Sequence, residues 1–310
     1  MPKQILTITL NPTVDKSSTV ENIKPEKKLR CSMPVYEPGG GGINVSRGLE
    51  RLGVPSVAFF PIGGRTGELL TELLDKEGIT TKTVNVTADT RENFIVVDTS
   101  NNEQYRFGMP GEDITKDEAT AIHDAIMGIS PFPEIVVISG SLPEGISSGF
   151  LTKLVKELKA KNVKVIADTS GEALEEIVKE GVFMLKPNLG ELSKFVGKEE
   201  LDNESADDAA KQLIDEGKAE IVAVSMGPQG AYVVTKDETV HVGAPSVRKK
   251  STVGAGDSMV AGMVSVLANG GSTQEMARMG VACGTAATMS NGTGLFTKEN
   301  AEKLYKWLSR

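Results

Sequence analysis

Cysteine and histidine are scarce in this chain. Its 310 residues hold two of each, Cys31 and Cys283, His123 and His241. The cysteines are far apart and form no C-x-x-C pair, so these four residues do not make a usual structural zinc site. Too few thiols for a disulfide framework point to the cytoplasm. Both cysteines are expected as small buried side chains. Neither histidine has an obvious serine or cysteine nucleophile to serve, so both are expected to be structural. An excess of positive charge is also missing: 34 Lys and Arg stand against 42 Asp and Glu, a formal net charge of -8. A general nucleic-acid or anionic-membrane binder needs a basic face, which argues against both classes. A small basic pocket for a phosphorylated ligand remains open. No apolar run is long enough to span a bilayer. Met1-Pro-Lys-Gln4, followed by Ile5–Leu10, is too short and polar for a signal peptide. There is no G-x-x-x-x-G-K-S/T phosphate loop and no dinucleotide G-x-G-x-x-G. No internal repeat, low-complexity tract or linker divides the chain.

Glycine, by contrast, is clustered. Ser251-Thr-Val-Gly-Ala-Gly-Asp257-Ser-Met-Val-Ala-Gly262 reads as a loop that becomes a buried helix. Gly254 and Gly256 free the backbone for a tight turn and a close approach. A helix start carries unpaired N–H groups and a positive dipole end, an anion site that Gly254, Ala255 and Gly256 leave uncovered. Asp257 then stands in the first turn, either as a helix cap or as a group beside the bound anion. The second cluster is Gly39-Gly-Gly-Gly42-Ile43-Asn44, which abuts a helix with Val45, Leu49 and Leu52 at helical spacing. Asn44 can donate and accept at once, which suits sugar hydroxyls.

Composition and length (39% hydrophobic, 25% charged) fit one large α/β domain or two small ones. Strand Ile5–Leu10 leads to Asp15, either a turn residue or a ligand group beyond a strand end. Lys24, Lys27, Lys28 and Arg30 form a local basic cluster, a solvated surface or a phosphate-facing one. Leu29, Cys31, Met33 and Val35 alternate as a half-exposed strand does. Arg91–Phe107 reads as a hairpin that pairs with residues 16–38 in a small sheet outside the main one. From Thr115 strands alternate with helices, the pattern of a parallel sheet covered on both faces. Lys186-Pro-Asn188-Leu-Gly-Glu191 closes one of these strands. Asn188 and Glu191 are three apart at a helix start, as a capped terminus or as hard oxygen ligands of the kind Mg²⁺ takes. Trp307 is expected to pack within the last helix.

In this order the motifs resemble those of the ribokinase-like (PfkB) family of sugar kinases. Gly39–Asn44 is similar to its first signature, Thr252–Asp257 to its second and Asn188–Glu191 to its magnesium motif; the resemblance runs from Ile5 to the C-terminus. Asn11-Pro-Thr-Val-Asp15 is similar to the opening of the phosphosugar branch. Glu37–Val45, Gln104–Gly111 and Ser139–Pro143 are similar to the minor, PfkB-type bacterial 6-phosphofructokinases. Kinases of fructose 1-phosphate and tagatose 6-phosphate usually carry a lysine where Gly41 stands.

The resemblance implies a three-layer α/β fold with a mostly parallel sheet. It implies a single kinase domain over residues 1–310, with a β-sheet lid from insertions about 16–38 and 91–107. The implied activity is ATP-dependent phosphorylation of fructose 6-phosphate at its C1 hydroxyl in glycolysis; 1-phosphofructokinase and tagatose-6-phosphate kinase are the alternatives. Asp257 would be the base, with the amides of Gly254, Ala255 and Gly256 stabilising the transferred group. Asp15, Gly40, Gly41, Asn44 and Ser139 would hold the sugar, and Arg91 and Lys28 its phosphate. Lys186, Asn188, Ser225, Gly227, Gly230, Gly280 and Gly284 would border ATP. Mg²⁺ would be held through Asn188 and Glu191, largely by water. K⁺ would be held by backbone carbonyls near Ser251, Val253, Ala287, Ser290, Gly292 and Gly294. The implied partners are sugar phosphate, ATP and a second copy docked through the lid, with neither nucleic acid nor membrane. A non-catalytic sugar-phosphate sensor on the same fold would be favoured by loss of Asp257 or of the metal motif, and both are intact.

Overall fold

The computed structural model describes residues 3–202 and 205–310. In its first third lie β1 (Ile5–Ile8), β2 (Thr13–Val20), β3 (Val35–Gly39), α1 (Gly41–Arg51), β4 (Val57–Ile62), α2 (Gly64–Lys76) and β5 (Thr80–Asn85). Then come β6 (Arg91–Asp98), β7 (Glu103–Phe107), α3 (Lys116–Met127), β8 (Ile135–Ser139), α4 (Ser148–Ala160) and β9 (Lys164–Asp168). Next are α5 (Gly171–Glu180), β10 (Val182–Leu185), α6 (Leu189–Phe195), α7 (Ala206–Asp215) and β11 (Ala219–Ser225). The chain ends with β12 (Ala231–Thr235), β13 (Thr239–Val242), α8 (Ala255–Ala268), α9 (Thr273–Thr288) and α10 (Lys298–Leu308).

Among the described residues the main sheet has nine strands in the order β13-β12-β11-β10-β9-β8-β1-β4-β5. Its strands are parallel from β11 to β5, and β12 alone is reversed, pairing antiparallel with both β11 and β13. The apolar runs explain this: Ile5–Ile8 and Ile135–Ser139 are buried at every position, as strands covered on both faces must be. One face packs a core that includes Ile122, Leu154, Ile177 and Leu213 from the helices α3, α4, α5 and α7. The other packs Val45 and Leu49 of α1 with Val260, Met263, Ala277 and Val281 of α8 and α9.

Chain order reverses at β1, which has β4 on one side and β8 on the other. A crevice opens beyond the strand ends at such a switch point. The glycine run fills it. A Cβ at Gly42 would fall 2.6 Å from the Ile8 carbonyl, and one at Gly41 would fall 2.2 Å from Ser139 Oγ. Helix α1 therefore starts inside the run, pressed against β1 and β8.

The small sheet expected outside the main one is present, in the order β3-β2-β6-β7. Its details differ from expectation. Leu29–Met33 form no strand, because Ser32 is tied to Thr19 and Ser18 by local hydrogen bonds and no second layer covers Met33. Asp15 is not in a turn; it sits within β2, opposite Glu37 on β3 and Asn93 on β6. Cys31 is exposed in the β2–β3 loop, whereas Cys283 is fully buried. Trp307 is 56% exposed on the outer face of α10 rather than packed. His123 is buried with a carboxylate near each ring nitrogen, Asp124 and Glu157. Among the described residues no helix is long and apolar enough to cross a membrane.

Candidate active site

Helix α8 begins at Gly254, whose φ of 69° is left-handed, and no side chain caps it. The Ala255 N–H makes only a 3.4 Å turn contact with the Thr252 carbonyl. Asp257 is not the cap. Its Oδ2 accepts a 2.9 Å hydrogen bond from Asn44 Nδ2, 213 residues earlier. The first-signature helix and the second-signature helix thus meet at this pair. Burial, and next the Asp168 carboxylate, push the Asp257 carboxyl up from the usual range to about 7, against the Asn44 hydrogen bond and Lys186. A carboxylate so poised can take a proton near neutral pH.

Lys186 and Asp168 form a buried ion pair at 3.0 Å. Burial is the largest influence and works against the lysine's charge, but the charge and hydrogen bond of Asp168, with Glu191 and Asp257, together turn the net shift upward. A Cβ at Gly256 would lie 3.7 Å from Lys186 Nζ, so the cation stands beside the start of α8. Asp15 faces the same space. Burial raises its carboxyl, and the 2.9 Å hydrogen bond from Asn93 Nδ2 and the charge of Arg91 oppose that. Ser139 ends β8 and donates weakly to Asp168 Oδ2 at 3.4 Å, between Gly41 and the ion pair. Gly40 has a φ of 113° and packs on Thr9.

Beside the start of α8 lies a cleft of about 500 Å³ with a mainly apolar lining. Ser225, Gly227 and Gly230 form one wall, and Gly280 and Gly284 of α9 the other. A planar base fits such a slot. Asn188 and Glu191 adjoin it through a strand-like bridge from Asn188 to Ser225. Both cap α6 reciprocally: Glu191 Oε2 accepts from the Asn188 N–H and Asn188 Oδ1 from the Glu191 N–H, each at 2.9 Å. Each cap uses one oxygen, and the second carboxylate oxygen of Glu191 fits a hard cation that keeps most of its water. Among the described residues no group of three or more His, Cys, Asp or Glu could hold a metal ion.

The sequence model of the pfkB family carbohydrate kinase matches residues 5–300. The chain belongs to the pfkB family of carbohydrate kinases. It is 43% identical over 308 residues to the ATP-dependent 6-phosphofructokinase isozyme 2 of Escherichia coli K12, with 99% of each chain covered. It is 34% identical over 300 residues to the 1-phosphofructokinase of Bacillus subtilis 168, with 97% of each covered. Among solved structures it matches Escherichia coli phosphofructokinase-2 in complex with substrates and products, with a TM-score of 0.95 and 44% identity, covering 99% of this chain and all of that one. The same enzyme in complex with potassium matches with a TM-score of 0.95 and 43% identity, with the same coverage.

Other residues expected from the pfkB signatures are placed less simply. Arg91 spends its guanidinium on backbone: Nη1 donates to the Met109 carbonyl at 2.9 Å and Nη2 to that of Asn11 at 3.1 Å. Burial lowers its pKa, Asp15 acts the other way, and its buried Nε has no partner. Lys28 is exposed in the β2–β3 loop, outside the hydrogen-bonded cluster. The segments carrying Ser251 and Val253 and those carrying Ala287, Ser290, Gly292 and Gly294 do lie together. The Lys250 and Ser251 N–H groups both donate to the Thr288 carbonyl, and Ala287 accepts from the Ser290 N–H at 3.0 Å.

Four residues of this pfkB site escaped the sequence reading. Asp168 ends strand β9, so the strand-end rule that drew attention to Asp15 would also have found it. Arg47 follows Asn44 by one helical turn and is only 2% exposed, a burial that no sequence pattern announces. Asn93 acts through its β6 register with Asp15. Glu37 accepts a 2.6 Å hydrogen bond from Thr293 Oγ1, tying the small sheet to the loop before α10.

Proposed function

We propose that this protein is an ATP-dependent 6-phosphofructokinase, which phosphorylates fructose 6-phosphate at its C1 hydroxyl as a step of glycolysis in the cytoplasm. The observation that carries this reading is the meeting of Asn44 with Asp257, the residue after Ala255 and Gly256 of the cleft wall. Phosphoryl transfer needs positioning and charge neutralisation more than covalent chemistry. Asp257 takes the proton of the C1 hydroxyl. The N–H groups of Gly254, Ala255 and Gly256 and the charge of Lys186 stabilise the transferred group. ATP occupies the cleft between Ser225–Gly230 and Gly280–Gly284. Asn188 and Glu191 would hold Mg²⁺, largely through water, and the ion would supply charge neutralisation for the phosphates. Backbone carbonyls of the 251–253 and 287–294 segments would hold K⁺, a reading supported by the potassium complex of the Escherichia coli relative.

Asp15, Gly40, Gly41, Asn44 and Ser139 hold the sugar, and Arg91 and Lys28 its phosphate. The chain works as a single domain, with the small sheet as its lid and a homodimer formed through the lid. Gly41 favours fructose 6-phosphate over substrates read by a lysine at that position, and its contact with Ser139 leaves a side chain no room. A charged hydrogen bond is worth roughly 1.5–3 kcal/mol, or about ten- to a hundredfold in kcat/KM. The test is ADP release with fructose 6-phosphate, fructose 1-phosphate and tagatose 6-phosphate side by side. Fructose 6-phosphate should lead by about tenfold or more. A higher kcat/KM for either competitor would overturn the substrate and leave the kinase.

A further inference from the structure

The buried guanidinium of Arg47 has no place in the reaction as described, yet it touches the residue that touches the base. Its Nε and Nη2 form a fork on Glu77, at 2.8 and 2.6 Å, at the end of α2. Its Nη1 donates to the Pro38 carbonyl at 2.9 Å and to Asn44 Oδ1 at 3.3 Å. Arginine has donors only. The amide end of Asn44 that faces it must therefore be the oxygen, and the NH₂ end is turned to Asp257. Rotated the other way, Asn44 would set its NH₂ against a cation and its oxygen against a carboxylate.

We propose that Arg47 is a positioning residue: held by Glu77 and Pro38, it locks the Asn44 amide so that its NH₂ group steers the Asp257 carboxylate. The lock joins three separate pieces, the end of α2, the end of β3 and the first helix, to the start of α8. It leaves Asp257 Oδ1 for the substrate hydroxyl, and it rests on Asp257 acting as the base. The other charged groups facing Asp257 are Asp168 at the end of β9, Lys186 after β10 and Asp15 on β2. Arg47 bonds to none of them and only its charge acts on Asp15, so its one hydrogen-bonded route to the base is Asn44.

Three quantities separate this role from a packing role: kcat, KM for each substrate, and the acidic limb of the pH profile of kcat/KM. Arg47→Met is made together with Glu77→Met, so that no lone charge stays buried. The expected variant is folded and binds ATP as the parent does, with kcat down about tenfold or more. Its acidic limb moves to higher pH by about one unit, the size expected for one lost hydrogen bond to a charged group. If the double variant does not fold, Arg47→Lys replaces it. One ammonium cannot serve Glu77 and Asn44 with fork geometry, it stays with the carboxylate, and the same shift is expected. A folded variant of either kind with an unmoved limb overturns the proposal, whether kcat is unchanged or both KM values rise. Parental activity and Asp257→Asn test the base separately, so failure there is not confused with failure of the lock.

Discussion

Asp257 holds a negative charge where its surroundings resist one. That tension gives one substitution two opposite effects. Asp257→Asn removes the base, and kcat should fall by roughly 10² to 10⁴ with ATP affinity kept. If more than about half of kcat survives, the base is elsewhere. Stability should move the other way. The folded-state pKa is raised to about 7 from the ordinary carboxyl value of 3.8, by burial first and Asp168 second. Between those values the folded protein keeps a proton that the unfolded chain has lost, so stability falls as pH rises through that window. Below it the group is neutral in both states. The asparagine variant should therefore melt above the parent at pH 8, and the gain should vanish toward pH 4. A gain independent of pH would mean that the charge is not the cause.

Helix α6 raises the same question for a whole element, because one motif carries an observed cap and a proposed Mg²⁺ site. Asn188 and Glu191 form a reciprocal capping box, the reading that sequence spacing left open beside the metal one. Glu191→Gln separates them. Glutamine still offers an oxygen to the Asn188 N–H, so the melting temperature should stay within a degree or two of the parent, while Mg²⁺ loses a carboxylate. The Mg²⁺ concentration for half-maximal activity should rise about 10- to 100-fold, the range found when the support of a metal site is lost. An unchanged Mg²⁺ requirement would reduce the motif to a cap. The box also shows what a sequence does not disclose. The three-residue spacing was legible, but its place beside Ser225 depends on how β10 and β11 pair. Likewise Asp257 in a first turn was legible. Its partner Asn44 was not paired with it, because 213 residues separate them and only the stacking of α1 on α8 brings them together.

At the scale of the molecule the parallel sheet was readable from the alternation of apolar runs with helices, since a strand buried on both faces has few other sequences open to it. The small sheet was readable in outline and wrong at its edge. Alternation at Leu29–Val35 looks like a strand, yet a continuous ladder is what makes one: Ser32 reaches β2 through Thr19 and Ser18, and paired register begins only at Val35. Val96 is buried inside, while Val35 (57% exposed) and Phe107 (49%) stand on the two edge strands, β3 and β7, with Tyr36 and Tyr105 next to them. Exposed apolar edges of this kind invite a partner. The homodimer proposed above would bury these side chains and bring Lys28, exposed on the β2–β3 loop, to the partner's sugar site. Substituting glutamate at both Val35 and Phe107 should leave the main sheet folded and give the monomer mass in light scattering. Losing the Lys28 contact should then lower kcat/KM for the sugar phosphate by about ten- to a hundredfold, with ATP binding little changed. A variant that keeps the parental mass places the interface on another face. A monomer with full activity breaks the link between assembly and the site, because it shows that each copy holds its substrate without the other's lysine.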